Sequence, residues 1–113
     1  MRRLPLMFIA MNRFRINQGF EAGFEQMWRE RESHLAELDG FVRFSLLRGP
    51  EDAGCRLYAS HTEWASREHF DAWRTSEAFH KAHAQAKAPE GTYAGPPVFE
   101  GFDVVLEERA DAA

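Results

Sequence analysis

Residues 41–64 read FVRFSLLRGPEDAGCRLYASHTEW, and this stretch decides the fold. Two runs rich in apolar and β-branched or aromatic residues, 41–48 and 56–64, flank a segment with two glycines, a proline and two acidic residues. Short apolar runs on either side of such a segment are typical of two strands joined by a turn. The sequence therefore predicts a β-hairpin whose turn covers residues 49–54.

One further strand is predicted on each side of this hairpin. Residues 7–16 alternate with a period of two, which places one set of side chains on a single face, namely Phe8, Ala10, Asn12, Phe14 and Ile16. Asn12 is the polar exception on that face. The last strand is predicted over residues 98–106, after a Pro- and Gly-rich loop at 88–97.

Helices are predicted in the two gaps between these strands. After residue 19, one apolar stripe at helical spacing contains Phe20, Phe24, Met27, Trp28, Arg31, Leu35 and Leu38. Gly40 is expected to end that helix. Ser66 is predicted to cap a second helix that carries Phe70 and Trp73, with a break at residues 75–76 and a short helix from there to residue 87.

The order strand, helix, strand, strand, helix, strand is typical of a ferredoxin-like α+β sandwich, βαββαβ, with an antiparallel sheet and both helices on one face. A chain of 113 residues is expected to form one domain, with its core over about residues 7–106. The other sheet face carries Met7, Ile9 and Met11, which a monomer would leave in water. We therefore expect a homodimer whose sheets pack face to face.

Composition and charge exclude several classes of function. A formal net charge of -4 argues against nucleic acid as a partner, because phosphate binding relies on clustered lysine and arginine. The apolar run at the start is short and lacks a small-residue cleavage site, and no stretch is long enough to span a membrane. With the single Cys55 no internal disulfide can form, which predicts a reducing compartment, the cytoplasm.

His83 is the first candidate for a ligand-binding group. In the predicted helix that follows Ser76 it lies near the centre of the stripe formed with Phe79, Ala82 and Ala86, so it is expected to face the sheet. A neutral imidazole there could bind haem iron. A buried histidine that hydrogen-bonds a backbone carbonyl is the more common arrangement.

Other chemistry finds less support in the residues. His80 and His83 form an H-x-x-H pair, but a zinc site needs at least three protein ligands and the sequence offers no obvious third one. No serine lies in a G-x-S-x-G motif, and no glycine-rich nucleotide-binding loop is present.

Four more residues qualify as binding candidates only in combination. Trp28 and Trp73 are expected to face the space between helices and sheet, where large aromatics usually form core. Asn12 must find a hydrogen-bond partner in protein, water or ligand, since an unpaired buried amide is costly. Arg31, within the apolar stripe, must either pair with a nearby glutamate or meet a ligand carboxylate such as a haem propionate.

Three motifs together resemble the haem-degrading monooxygenases of the IsdG-like group, within the antibiotic biosynthesis monooxygenase superfamily of dimeric α/β barrels. They are AMNRF at 10–14, LDGFVRFSLLRG at 38–49 and HTEWASREHFDAWRTSEAFHKAH at 61–83. By position, the resemblance implies that His83 is the axial ligand of haem iron, that Trp73 presses on the macrocycle and that Asn12 is the distal hydrogen-bond donor. It also implies that Trp28 is a pocket aromatic and that Arg31 is a polar neighbour of the haem edge.

The activity implied by this resemblance is haem oxygenase activity, with haem as both cofactor and substrate. The porphyrin would be opened with O2 and electrons from a reductase or small reductant, for iron acquisition. The products would be a biliverdin-type tetrapyrrole and free iron, with the lost carbon as carbon monoxide or formaldehyde. Two alternatives stay open: a cofactor-free monooxygenase of the same superfamily, and a dimer that binds haem without degrading it.

Overall fold

The computed structural model describes residues 6–31, 34–76 and 88–111. Its elements, in chain order, are β1 (Phe8–Asn17), α1 (Glu21–Glu30), β2 (Phe41–Asp52), β3 (Cys55–Trp64), α2 (Arg67–Arg74) and β4 (Val98–Asp103), with one 3-10 turn, Leu35–Glu37, between α1 and β2. The predicted ferredoxin-like α+β fold is confirmed. The short helix predicted after Ser76 lies outside the described residues.

The sheet is antiparallel with the strand order β2-β3-β1-β4, so β1 lies inside it between β3 and β4. Of the β1 side chains expected on the helix-facing side, four are at most 9% exposed, namely Phe8, Ala10, Phe14 and Ile16. The period-two prediction for this strand is confirmed. Asn12, the fifth member of that face, is only partly buried.

The hairpin is tighter than predicted. Only Ala53 and Gly54 separate the two strands, and both have positive φ, 52° and 78°. Two consecutive left-handed residues form the turn whose twist matches that of paired antiparallel strands, so the strands extend to the turn itself. Pro50 lies at the register shift between Arg48 and Glu51, where a residue without an N–H costs no ladder hydrogen bond.

Helix α1 is shorter than the predicted stripe. Arg31 has extended backbone angles, φ -70° and ψ 145°, and His34 is left-handed with φ 55°. Leu35 therefore belongs to a separate turn rather than to α1. The physical reason is packing, because Phe24 is buried in the hydrophobic cluster around Tyr58 whereas Leu35 is buried in a second cluster around Trp64. One straight helix does not place side chains in both clusters.

Helix α2 begins as predicted. The Ser66 hydroxyl accepts a hydrogen bond from the His69 N–H, with 3.3 Å between oxygen and nitrogen, which is a side-chain N-cap. The helix buries Phe70 against the cluster around Trp64. This packing fixes α2 over the sheet and with it the position of Trp73.

The sheet face away from the helices carries exposed apolar side chains. The strand register places Phe102 beside Ile9 and Leu47 beside Ala59 on this face. The Phe102 side chain is 47% exposed and the Leu47 side chain 42%. The homodimer expected from this face stays a prediction. None of the described helices is long and apolar enough to cross a membrane.

Candidate functional site

A cavity of about 240 Å³ lies between the helical layer and the sheet. Its aromatic lining consists of Trp28, Phe44, Phe70, Trp73 and Phe99, and its polar lining of Asn12, Arg31, Ser60, Thr62 and Arg74. Four of the predicted site residues, Asn12, Trp28, Arg31 and Trp73, are thus brought together at one cavity. His83 lies outside the described residues.

The aromatic walls present flat surfaces. The Trp28 and Phe44 rings stack with centroids 5.5 Å apart and planes 20° from parallel. Phe70 and Phe99 stack likewise, at 5.7 Å and 7°. Because ligand sites lined by aromatic side chains bury apolar surface, these walls suit an apolar, aromatic ligand.

Trp73 packs against two buried aromatic neighbours. Its ring centroid lies 5.4 Å from that of Trp64, which has no exposed surface, and 6.1 Å from that of Phe70. A side chain packed against a filled core has little room to retreat. Trp73 therefore forms a stiff part of the cavity wall.

Arg31 brings a positive charge to this apolar site. Its guanidinium carbon lies 4.5 Å from the Trp28 ring centroid and 4.8 Å from that of Phe44, at cation–π distance from both. Burial lowers its pKa from the usual value, and the guanidinium nevertheless stays charged. Within the described parts of the chain no carboxylate lies within salt-bridge distance of it, so the glutamate pairing considered above is not seen there.

The floor of the cavity is the helix-facing side of β1 and β3. Asn12 on β1 is the direct cross-strand partner of Ser60 on β3. Ser60 and Thr62 are each 7% exposed, and the Thr62 hydroxyl donates a hydrogen bond to the Ala10 carbonyl. Neither Ser60 nor Thr62 stands out in the sequence, although the alternation of β3 puts both on the same face as Trp64.

A charged network behind the Trp28 wall anchors α1 to the hairpin. The Tyr58 hydroxyl donates to Glu25 Oε2 at 2.6 Å, and Arg48 donates to both carboxylate oxygens, at 2.8 and 2.7 Å. These bonds, that from Tyr58 first, hold the pKa of Glu25 below its usual value. Burial, and then the bond to Glu25, raise the pKa of Tyr58. The network fixes the helix that carries Trp28.

A serine, a histidine and an aspartate also come together near the start of α2. Ser66 Oγ lies 2.7 Å from His69 Nδ1, and His69 Nε2 lies 3.5 Å from Asp39. Ser66 is only 3% exposed and its oxygen already caps the helix, so this group serves to hold α2 rather than to attack a substrate. Among residues 6–31, 34–76 and 88–111, no three metal-binding side chains cluster.

The sequence profile of the antibiotic biosynthesis monooxygenases matches residues 7–85. The chain belongs to this family. Membership confirms the superfamily implied by the three motifs and agrees with the cavity between helices and sheet. Among curated proteins, none matches the chain closely enough to count as a relative.

Solved structures of the antibiotic biosynthesis monooxygenase family include several with this fold. The heme-degrader MhuD from Mycobacterium tuberculosis, solved with two hemes in its active site, is 29% identical, with a TM-score of 0.68 over 90% of this chain and 99% of that one. SnoaB, a cofactor-independent oxygenase from Streptomyces nogalater, is 19% identical, with a TM-score of 0.65 over 90% and 96%. A Bacillus cereus protein assigned to the family is 20% identical, with a TM-score of 0.75 over 95% and 99%. At these last two identities the likeness concerns the fold alone.

Proposed function

We propose that this antibiotic biosynthesis monooxygenase family protein is a haem-degrading monooxygenase. It would open the porphyrin with O2 and electrons from a reductase or small reductant, giving a biliverdin-type tetrapyrrole and free iron for iron acquisition. The observation that carries the proposal is Arg31, a charge without an ion-pair partner among the described residues, held against the aromatic wall of the cavity. A ligand that is flat, apolar and carboxylated satisfies both features.

Haem is complementary to the described lining of the cavity in shape and charge. Its macrocycle matches the stacked aromatic walls, and a propionate would give Arg31 the charge-assisted hydrogen bonds that the guanidinium geometry favours. The similarity to MhuD, a heme-degrader, supports the same ligand. SnoaB, which is cofactor-independent, has this fold as well, so the cavity residues rather than the fold favour haem.

Each site residue has a proposed role. When bound, haem supplies both the iron that activates O2 and the porphyrin that is oxidised. His83 would hold the iron, and Asn12 would orient a polar ligand at the cavity floor by hydrogen bonding. Trp73, which Trp64 prevents from retreating, would press on the ring, while Trp28 and the other aromatics exclude water.

We propose a homodimer formed by the sheet faces that carry Leu47 and Phe102, acting in the cytoplasm. Burial of exposed apolar side chains is the driving force for such an association.

A haemin titration followed by a time course tests the function. We expect a Soret band to develop at about one haemin per chain and then to decay under O2 with ascorbate and catalase present. His83→Ala should weaken iron coordination and change that band, whereas His61→Ala, on the opposite face of the sheet, should not. An unchanged spectrum in His83→Ala would contradict the assignment of the iron ligand.

The same titration separates the two alternative functions. Haem that binds but stays intact with O2 and reductant would show a haem-binding dimer without turnover. Absence of haemin binding by the wild-type protein would favour the cofactor-free monooxygenase.

A further inference from the structure

Two polar side chains on the cavity floor lie side by side. Asn12 and Ser60 are direct partners across the antiparallel β1–β3 pair, and both line the cavity. Side chains of such partners project from the same face, with Cβ atoms about 4.5 to 5.5 Å apart. One small ligand can therefore reach both.

Neither of these polar side chains has a hydrogen-bond partner among the described residues. Among the described residues, the Asn12 amide and the Ser60 hydroxyl make no side-chain hydrogen bond, whereas the neighbouring Thr62 hydroxyl donates to Ala10. Ser60 is only 7% exposed. Because Ser60 also lines the cavity, a ligand bound there can take its hydroxyl as a hydrogen-bond partner.

The chemistry of the pair differs from that of Arg31. Both groups are neutral, and each offers a donor, the amide N–H and the hydroxyl O–H. A carboxylate is better served by the guanidinium, which also lines the cavity. Two neutral donors at short range fit a small polar ligand with little or delocalised charge.

We infer that Asn12 and Ser60 form one hydrogen-bonding site for a diatomic or triatomic ligand of the haem iron, the class to which O2 and azide belong. Ser60 thereby becomes a second positioning residue for the oxidant, beside Asn12. This inference rests on the proposed function, since it requires haem in the cavity. It adds a residue that the family resemblance did not mark.

Azide binding to the ferric haemin complex, prepared at about one haemin per chain, tests the pair directly. Loss of one neutral hydrogen bond weakens binding by about three- to tenfold, so Ser60→Ala and Asn12→Ala should each raise the azide Kd by that factor. Ser60→Thr, which keeps the hydroxyl, should stay within about twofold of the wild-type protein.

A control variant distinguishes the donors of the cavity floor from general polarity. Ser45→Ala removes a hydroxyl that the register places on the other sheet face, opposite His61. It should leave the azide Kd within about twofold of wild type. A loss in Ser45→Ala as large as in Ser60→Ala would overturn the inference.

The outcomes separate this inference from the proposed function. If the wild-type protein binds no haemin, both fail. If haemin binds and Ser60→Ala keeps the wild-type azide Kd, only the inference fails. If Ser60→Ala lowers haemin affinity but not azide affinity, Ser60 contacts the macrocycle and the pairing with Asn12 is wrong.

Discussion

The guanidinium carbon of Arg31 lies 4.5 Å from the centroid of the Trp28 ring, and this contact rather than the helix positions the charge. The two residues are three apart, as on one face of a helix, but the backbone leaves helical geometry at Arg31 itself. The side chain is therefore held by its aromatic neighbours. This arrangement explains how an arginine is accommodated within an apolar stripe.

Replacing Arg31 should weaken haemin binding more than it weakens the fold. A charge-assisted hydrogen bond to a propionate is worth about 1.5 to 3 kcal/mol, so Arg31→Ala should raise the haemin Kd roughly ten- to a hundredfold. Quenching of tryptophan fluorescence on haemin addition measures this. Arg29→Ala is the control, because Arg29 is exposed and contacts Glu25 outside the cavity. Equal losses in both variants would remove Arg31 from the site.

Trp73→Ala should separate haem binding from ring opening. If Trp73 presses on the macrocycle, its removal should leave the haemin Kd within about threefold while slowing Soret decay by at least about tenfold. The variant also loses packing against Trp64, so we expect about 2 to 3 kcal/mol of lost stability in urea unfolding. Trp73→Phe should recover part of the rate. Parallel losses of binding and rate would contradict this division of roles.

What the sequence predicted correctly depends on short-range patterns. The alternation of β1 fixed the buried face that holds Phe8 and Ile16, because side chains of a strand alternate regardless of its partners. The cap at Ser66 follows from local hydrogen bonding for the same reason. Strand and helical spacing also placed Asn12 and Trp28 on inward faces, where both line the cavity.

What the sequence did not predict depends on contacts between distant residues. The end of α1 at Glu30 is set by two separate packing clusters, one around Tyr58 and one around Trp64, which no local pattern reveals. The pairing of Asn12 with Ser60 depends on the strand register. The hairpin turn was predicted to begin too early, because Pro50 lies at a β-bulge inside β2 rather than in the turn.

The free energy of unfolding should fall in acid because Glu25 becomes protonated. Bonds from Tyr58 and Arg48 hold the pKa of this carboxyl below its usual 4.5, which it regains on unfolding. The unfolded chain thus binds more protons, so the contribution of Glu25 is complete above pH 4.5 and is lost as the pH falls through the lower folded pKa. Glu25→Gln should lose about 1 to 3 kcal/mol at about pH 7 and approach wild type in acid.

Urea unfolding at a series of pH values measures this difference. Glu30→Gln is the control, since Glu30 lies on the exposed side of α1 and bonds only to Gln26 among the described residues. A constant gap between Glu25→Gln and wild type at all pH values would show that the lost contact is not linked to protonation.

Gly40 should be intolerant of a side chain for two separable reasons. Its φ is 80°, and an added Cβ would lie 2.2 Å from Cγ of His69. Gly54 has nearly the same φ, 78°, with nothing within 4 Å of such a Cβ. Gly54→Ala should therefore cost about 1 to 2 kcal/mol from the left-handed backbone alone, and Gly40→Ala distinctly more.

The steric part of the Gly40 cost should shrink when His69 is shortened. In a His69→Ala background, Gly40→Ala should cost less than in the wild-type protein but still more than Gly54→Ala, because the Cβ that position 69 retains lies 2.6 Å from the added Cβ. Free energies of urea unfolding for the four proteins of this cycle measure the coupling. Additive effects of the two substitutions would show that the histidine ring moves aside at no cost.

The exposed sheet face should mediate dimerisation. Phe102 is 47% exposed beside Ile9, so Phe102→Glu would place a charge in an apolar interface and should raise the dimer Kd by at least about tenfold.

Light scattering at micromolar concentration measures this change. The wild-type protein should give twice the 13.0 kDa chain mass, and Phe102→Glu should give one chain mass. Ala22→Glu is the control, since Ala22 is exposed on α1, and it should give the dimer mass. A wild-type monomer would contradict the dimer.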